Sequence, residues 1–498
     1  MELEWTRENL RFEHLAASGE EQIIVEGEAA LPGSMRDAVT VLSVQAQPHV
    51  QDVQAGVDEA AVRGRICFQV LYTQGDLTRI RALDTTCDFE RRMKLPGVTP
   101  GMRLHTQAAL QETDGAAVNG RITLRALLLL QMDAIDNVET ALITGASADD
   151  RLRTKTQQIA WCMHEVIGEE KTMVRDEQEL APRLGVGDVL SATANATVGE
   201  LTGGSGRIGV TGVITVRVLH QPQTQGDHLI TTVHEVPYEM TIPGQLPEDA
   251  QARAEAEVTD VMADSVAGDK RRTLRIEAEV RVRLTLCRQK NKTLLCDLYS
   301  LKGPKLEPVV QPLQVMTAWE NAEARESTRV EVSLPKDAPP VETVLASFVQ
   351  PVLTGLTPSG RRLDAEGVMG VTLIYLPQDS DIPYAVRVRE PFAMTFPLET
   401  GEGVRAQIYG LESDVGSATS DRVELRCVLG LRSVRRTSES IRAIQDVCEQ
   451  PEGERAHGFI LVWPPEGESR WETARRLRVA EEALRPAGKR ALLAFRRE

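Results

Sequence analysis

The stretch "VRGRICFQVLY" (62–72) reads as a half-buried β-strand. Counted from Gly64, the even offsets are Ile66, Phe68 and Val70, closed by Tyr72, with Arg65, Cys67 and Gln69 between them. Alternation with period two is what a strand needs when one face meets a core and the other meets water. The stretch recurs as "VTGVITVRVLH" (210–220) and "AEGVMGVTLIY" (365–375). Each copy keeps the glycine and, eight residues on, a ring: Gly212/His220 and Gly367/Tyr375. The even offsets are again apolar: Ile214, Val216 and Val218, then Met369, Val371 and Leu373. Offset seven is apolar in all three, at Leu71, Leu219 and Ile374.

The agreement extends both ways. Upstream stands a proline, at Pro32, Pro182 and Pro335. Downstream come an aromatic and a second proline: Phe89 and Pro96, Tyr238 and Pro243, Phe392 and Pro397. Each unit closes on a long alternating strand, "RITLRALLLL" (121–130), "RIEAEVRVRLTLC" (275–287) and "RVELRCVLGL" (422–431). The fold class expected is therefore mainly β: three tandem antiparallel β-sandwich-like repeats, each with its own core. The boundaries expected are 1–20 for an N-terminal segment, then 21–137, 155–300 and 321–449 for the repeats. Gly, Pro and charge replace the apolar pattern at 144–154, 301–312 and 450–458, which marks linkers there.

The 498-residue chain has a formal net charge of −16. An acidic body lacks the basic face that phosphate neutralisation needs, so nucleic acid is not expected as a partner. The most apolar run, "ALLLLQM" (126–132), is bounded by Arg125 and Asp133, far short of the ~18 residues of a membrane span. The mixed charge of "MELEWTRENLRFEHL" gives no sign of a signal peptide. Seven scattered cysteines, never spaced C-x-x-C, suggest neither a disulfide framework nor zinc, and fit a reducing compartment.

Two motifs imitate chemistry. "GSGRIG" (204–209) fits G-x-G-x-x-G, but a strand follows it where a dinucleotide site needs a helix. It reads as a hairpin turn. His220, His228 and His234 lack the spacing of a metal site, and tyrosine holds the His220 position in the other repeats. No catalytic residue, metal or cofactor is expected. Three diverged copies in a row suit a spacer or an extended binding surface better than a single active site, although an enzyme site within one repeat stays a third reading.

The ending differs in kind. Residues 459–498 carry nine Lys/Arg against six Asp/Glu, which leaves a net −19 for the rest. "FILVW" (459–463) reads as a short strand, and Ser469 with Glu472 forms an S-x-x-E capping box that starts a helix. Trp471 and Ala474 share its inner face with Leu477, and Arg475, Arg476 and Arg478 gather toward its C-terminal end. "AEEALRP" (480–486) reads as a second, shorter helix and "ALLAF" (491–495) as a strand, giving βααβ. The run G-E-S-R-W-E-T-A, Gly467 to Ala474, resembles the G-D-T-L-W-x-I-A run of LysM modules, matching at Gly467, Trp471 and Ala474 and departing at Arg470 and Thr473. That resemblance implies glycan binding between the loops 466–470 and 485–489. The second loop is short and lacks the asparagine usual in the family.

The order of parts also resembles one arrangement over nearly the full length. The opening "EQIIVEGEAALPG", three "GRICFQVLY"-type units, "DLYSLKGPKLEP" (297–308) and a terminal LysM-like module look like the spore-coat assembly proteins of endospore-forming Firmicutes. Their repeats belong to domain of unknown function family 3794. The resemblance implies a cytoplasmic protein of the mother cell, acting at the forespore surface by binding the coat morphogenetic ATPase. Gly467, Glu468, Ser469, Arg470, Arg475 and Arg478 are the binding residues expected. Trp471, Ala474 and Leu477 are expected to hold the module together. Binding of peptidoglycan, a polymer containing N-acetylglucosamine, is the alternative function.

Overall fold

Each repeat folds into two three-stranded antiparallel sheets that enclose one apolar core. The computed structural model describes residues 3–31, 39–74, 78–147, 150–179, 186–204, 206–222, 229–267, 272–401, 403–451, 458–487 and 491–496. Unit 1 comprises β1 (Trp5–Ala30), β2 (Val39–Ala55), β3 (Glu59–Gln74), β4 (Arg81–Lys94), β5 (Arg103–Val118) and β6 (Arg121–Ala146). Its sheets run β1-β6-β5 and β2-β3-β4. Unit 2 repeats this order with β7 (Leu152–Gln178), β8 (Val186–Gly204), β9 (Arg207–Pro222), β10 (Ile230–Pro243), β11 (Ala250–Ala267) and β12 (Arg272–Ser300). Unit 3 does so with β13 (Lys305–Ser333), β14 (Val341–Ser359), β15 (Arg362–Pro377), β16 (Tyr384–Phe396), β17 (Arg405–Ala418) and β18 (Arg422–Gln450).

The quoted stretches are the central strands β3, β9 and β15, and their even offsets are buried as the alternation requires. Each such side chain contributes roughly 1.5–3 kcal/mol by leaving water. The repeated glycine and the repeated aromatic are cross-strand partners: Gly64 faces Phe89, Gly212 faces Tyr238 and Gly367 faces Phe392. The ring lies over the glycine. A Cβ on Gly212 would stand 2.4 Å from the Tyr238 ring and 2.2 Å from the Thr197 carbonyl oxygen. Glycine is needed there for close approach, and the ring covers the gap it leaves in the sheet. The "GSGRIG" stretch is the β8–β9 connection, with Gly206 at φ +77° beside Ser205, which lies outside the described residues. Pro32, Pro182 and His228 also lie outside them.

The boundaries expected at 20, 137 and 321 fall inside strands. β1 starts at Trp5, β6 runs on to Ala146 and β13 begins at Lys305. The first and last strands of every unit continue past their own sandwich as a two-stranded ribbon. A bulge marks where each ribbon begins, at the unpaired Ala16, Ile167 and Thr317. The three ribbons pack on one another. Phe12 and Leu142 of unit 1 meet Ile159, Trp161 and Leu294 of unit 2 and Leu313, Val315, Ile441 and Ala443 of unit 3 in one buried cluster. A second shared cluster joins the meander sheets, and at its centre are Leu71, Leu219 and Ile374. The apolar seventh offset of the repeat is the contact between units.

Charge is buried where the ribbons emerge. The Glu13 carboxylate is fully buried and accepts from the His164 backbone N–H (3.0 Å), from His164 Nδ1 (2.8 Å) and from Arg103 (3.1 Å). Asp133 pairs with Arg436 and with Arg405 Nη1, the latter at 2.8 Å. The Trp319 ring lies under the Arg436 guanidinium at 4.3 Å and beside the His164 ring at 4.7 Å. Burial pushes the His164 imidazole down, but its bonds to Cys287 and Glu13 carry it above its ordinary value. The units are therefore not beads on a line. They share a junction.

Candidate interaction site

The terminal segment folds as β19 (Gly458–Val462), α1 (Arg470–Leu477), a single 3-10 turn at Glu481–Ala483, β20 (Arg485–Pro486) and β21 (Leu492–Arg496). Its sheet order is β19-β21-β20. The capping box at the start of α1 is complete: Glu472 N–H donates to Ser469 Oγ (3.2 Å) and Ser469 N–H donates to Glu472 Oε2 (2.7 Å). The second helix expected over 480–486 is instead the 3-10 turn. Ala480 offers no capping oxygen, and Pro486 follows too closely for an α-helical nucleus to form. Gly488 lies outside the described residues.

The expected site residues divide by orientation. Ala474 is buried, and Trp471 and Leu477 pack beside it against Tyr299 near the end of β12 and Leu301 just after that strand. Trp471 Nε1–H donates to Asp297 Oδ2 (2.7 Å), its ring meets Tyr299 edge-on at 5.0 Å, and the Tyr299 hydroxyl donates to the Val479 carbonyl (2.9 Å). Arg475 pairs with Asp297 at 2.8 Å. Arg478 reaches the carbonyls of Ser300 (2.8 Å), Gly303 (2.8 Å) and Pro304 (3.1 Å). Those bonds hold Arg478 in the left-handed conformation (φ 52°) that ends α1, where glycine is usual. The arginine-bearing face thus docks the module on residues 297–304, the first two thirds of "DLYSLKGPKLEP".

The remaining three sit at the other end of α1. Gly467 takes φ +88° in the turn before the helix. Glu468 accepts from Arg476 (2.9 Å) and Thr473 (3.1 Å), and the Arg476 bond holds its carboxyl below the usual range. Arg470 donates to the carbonyls of Glu481 (3.1 Å) and Leu484, so its guanidinium ties the start of α1 to the 3-10 turn.

One feature of "FILVW" escaped the sequence reading. Phe459, Leu461 and Trp463 are 76%, 48% and 65% exposed, while Ile460 between them packs on the module core. β19 is an edge strand without a charged side chain. Natural edges are usually blunted by charge or proline, and an unblunted apolar edge marks a place where another chain adds. The signal was present: five apolar residues in a row give a strand with two apolar faces, and one short helix can cover only one.

The two described histidines of the 220–234 cluster are engaged locally. His220 Nδ1 lies 3.1 Å from the Gln221 carbonyl oxygen and His234 Nε2 lies 2.8 Å from Thr232 Oγ1. Among the described residues no group of three His, Cys, Asp or Glu side chains is placed to hold a metal, and no helix is long and apolar enough to cross a membrane.

Comparison with known families finds its match in unit 1. Residues 37–117 match the SipL, SPOCS domain. The matched stretch runs through β2, β3, β4 and β5, and it contains the Gly64–Phe89 pair. It supports a sporulation-related protein. No curated protein and no solved structure matches the chain.

Proposed function

We propose that this chain is a non-catalytic adaptor of endospore coat assembly, which binds the coat morphogenetic ATPase at the forespore surface through its terminal, LysM-like module. The observation that carries the reading is the exposed apolar set of Phe459 and Leu461 on β19 and Trp463 just after it. Exposed aromatics with an aliphatic neighbour are the composition of a binding hot spot. The SPOCS match ties the reading to sporulation. Arg475 and Arg478 are engaged within the chain, where they orient the module and leave β19 facing outward.

The glycan reading has less support. Arg470, at the departure from the LysM run, bonds to the carbonyls of Glu481 and Leu484, and so occupies the approach between the loops 466–470 and 485–489 where the resemblance would seat a sugar. The test uses the full chain and the purified ATPase. Phe459→Ser with Trp463→Ser should weaken binding by about 2 kcal/mol or more, roughly thirtyfold. Unchanged affinity in that variant, or binding only to peptidoglycan, removes the proposal.

A further inference from the structure

The three units enclose a cavity of about 1100 Å³. Its wall has an unusual make-up. From β9, β15 and β16 it takes alternate residues, such as Thr215 and Arg217, or Val368 and Gly370. Alternate residues mean that a sheet presents its face. From β2, β5, β8, β11, β14 and β17 it takes long consecutive runs, 43–49, 108–113, 191–195, 258–262, 346–350 and 407–412, and from β3 and β4 only the short ones 67–69 and 84–86. Consecutive residues point to opposite faces, so a strand that lines a wall with all of them is seen edge-on. All six are edge strands of their sheets. Backbone donors and acceptors of six sheet edges therefore border one space.

The side chains around it already bind peptide groups. Gln69 donates to the Ala192 carbonyl (3.0 Å), Gln350 to the Leu110 carbonyl (3.2 Å) and Thr113 Oγ1 to the Val44 carbonyl (2.8 Å). Gln407 Nε2 is buried there without a hydrogen-bond partner. The cations of the wall are engaged: Arg217 with the Ser413 carbonyl (2.8 Å), Arg387 with Thr113 and Arg389 with Glu112. Three of the four carboxylates are not. Asp84 on β4, Asp260 on β11 and Glu412 on β17 have no ion-pair partner among the described residues, and of these only Glu412 has a cation, Arg217, near it. The cavity walls around Asp84 partly desolvate its carboxyl, and with the nearby Asp260 charge they push it up. A cation between them would relieve both.

We propose that this cavity binds an extended, basic polypeptide segment, which bonds through its main chain to the sheet edges that border it and sets a lysine or arginine between Asp84 and Asp260. Strand addition supplies sequence-tolerant affinity, and the carboxylate pair selects charge. A neutral oligosaccharide shares the hydroxyl and amide chemistry of the wall but leaves the two carboxylates uncompensated. The net charge of −16 steers a basic segment inward and disfavours an acidic one.

The test titrates the full chain with short synthetic peptides. An alternating Lys–Thr peptide should bind and should slow amide exchange in 108–113, 191–195 and 258–262. An alternating Lys–Pro peptide keeps the charge but loses half its N–H donors, and should bind at least about tenfold more weakly. Asp84→Asn with Asp260→Asn removes mutual repulsion and so should fold, yet it should weaken the Lys–Thr peptide about tenfold. Asp52→Asn, an equally exposed carboxylate outside the cavity, should leave binding unchanged. The proposal is overturned if the Lys–Thr peptide does not bind, if the Lys–Pro peptide binds as well, if Asp52→Asn matches the double variant, or if only an N-acetylglucosamine oligomer is taken up.

Discussion

The three sandwich cores and the junction between them are built on opposite rules. Each core repeats the same pairs: Gly64 under Phe89, Gly212 under Tyr238, Gly367 under Phe392. The junction repeats almost nothing. Counted from the bulges at Ala16, Ile167 and Thr317, corresponding positions hold Glu13, His164 and Gln314, and on the partner strands Asp133, Arg283 and Arg436. Glu13 bonds to His164, and Asp133 bonds to Arg436. Positions that would be identical in three copies of one unit have become complementary. Repetition gives each unit its fold, and divergence tells the units which neighbour to take.

The sharpest way to break that contrast is Glu13→Ala. It leaves His164 and Arg103 facing a buried gap, and removing one partner of a buried pair costs about 3–5 kcal/mol. Denaturant melts should show the joint transition split, with unit 1 coming apart from units 2 and 3 while its own core persists. A single transition at unchanged midpoint would mean that the apolar clusters alone hold the units. Next in size is a pH effect at the seam between units 1 and 2. Burial lowers the His49 imidazole, but bonds to Cys67 and Glu257 raise it to about 9. A raised histidine contributes stability that is fully present below its unfolded value of about 6.5 and is lost as pH climbs through about 9. The loss should be on the order of 3 kcal/mol between those limits, and His49→Gln should flatten that part of the stability curve.

A smaller change tests the core side. Gly212→Ala drives a Cβ against the Thr197 carbonyl and the Tyr238 ring, an overpacking that costs about 1–3 kcal/mol. Thermal melts should show unit 2 destabilised, with the Glu13–His164 contact intact by histidine NMR. If Gly212→Ala instead loosens the junction first, core and junction are not separable.

This contrast also explains what was legible. The strands, their order and the three cores follow from period-two alternation within ten or eleven residues, so "VRGRICFQVLY" announced them. The apolar seventh offset was visible at Leu71, Leu219 and Ile374, but its purpose needed all three units in one place. Glu13, His164 and Arg436 lie far apart in the chain and carry no local period, so nothing marked them as one cluster. The expected boundaries fall within strands for a related reason: a strand that leaves its own sandwich keeps alternating, because the ribbon still has one face to bury. In the terminal module the capping box and the Trp471/Ala474 face were readable from spacing. The docking of Arg475 and Arg478 was not, because a charged helix face looks the same whether water or residues 297–304 lie opposite.

That docking gives the smallest effect and returns the contrast to the end of the chain. The module touches the body through Arg475 to Asp297, Trp471 to Asp297 and Arg478 to three carbonyls. The Arg475 side chain is partly open to water, so the ion pair alone is worth little, about 1 kcal/mol or less. Arg475→Ala should therefore leave the fold and melting of the three units unchanged while raising amide exchange in residues 297–304 a few fold. Arg475→Glu sets a second carboxylate against Asp297 and should raise exchange further. If neither substitution alters exchange there, the contact is held by Tyr299, Trp471 and Arg478 without help from the charge. If β19 then loses its partner although exchange is unchanged, Arg475 itself meets that partner, and the division between a docking face and a binding edge has to be redrawn.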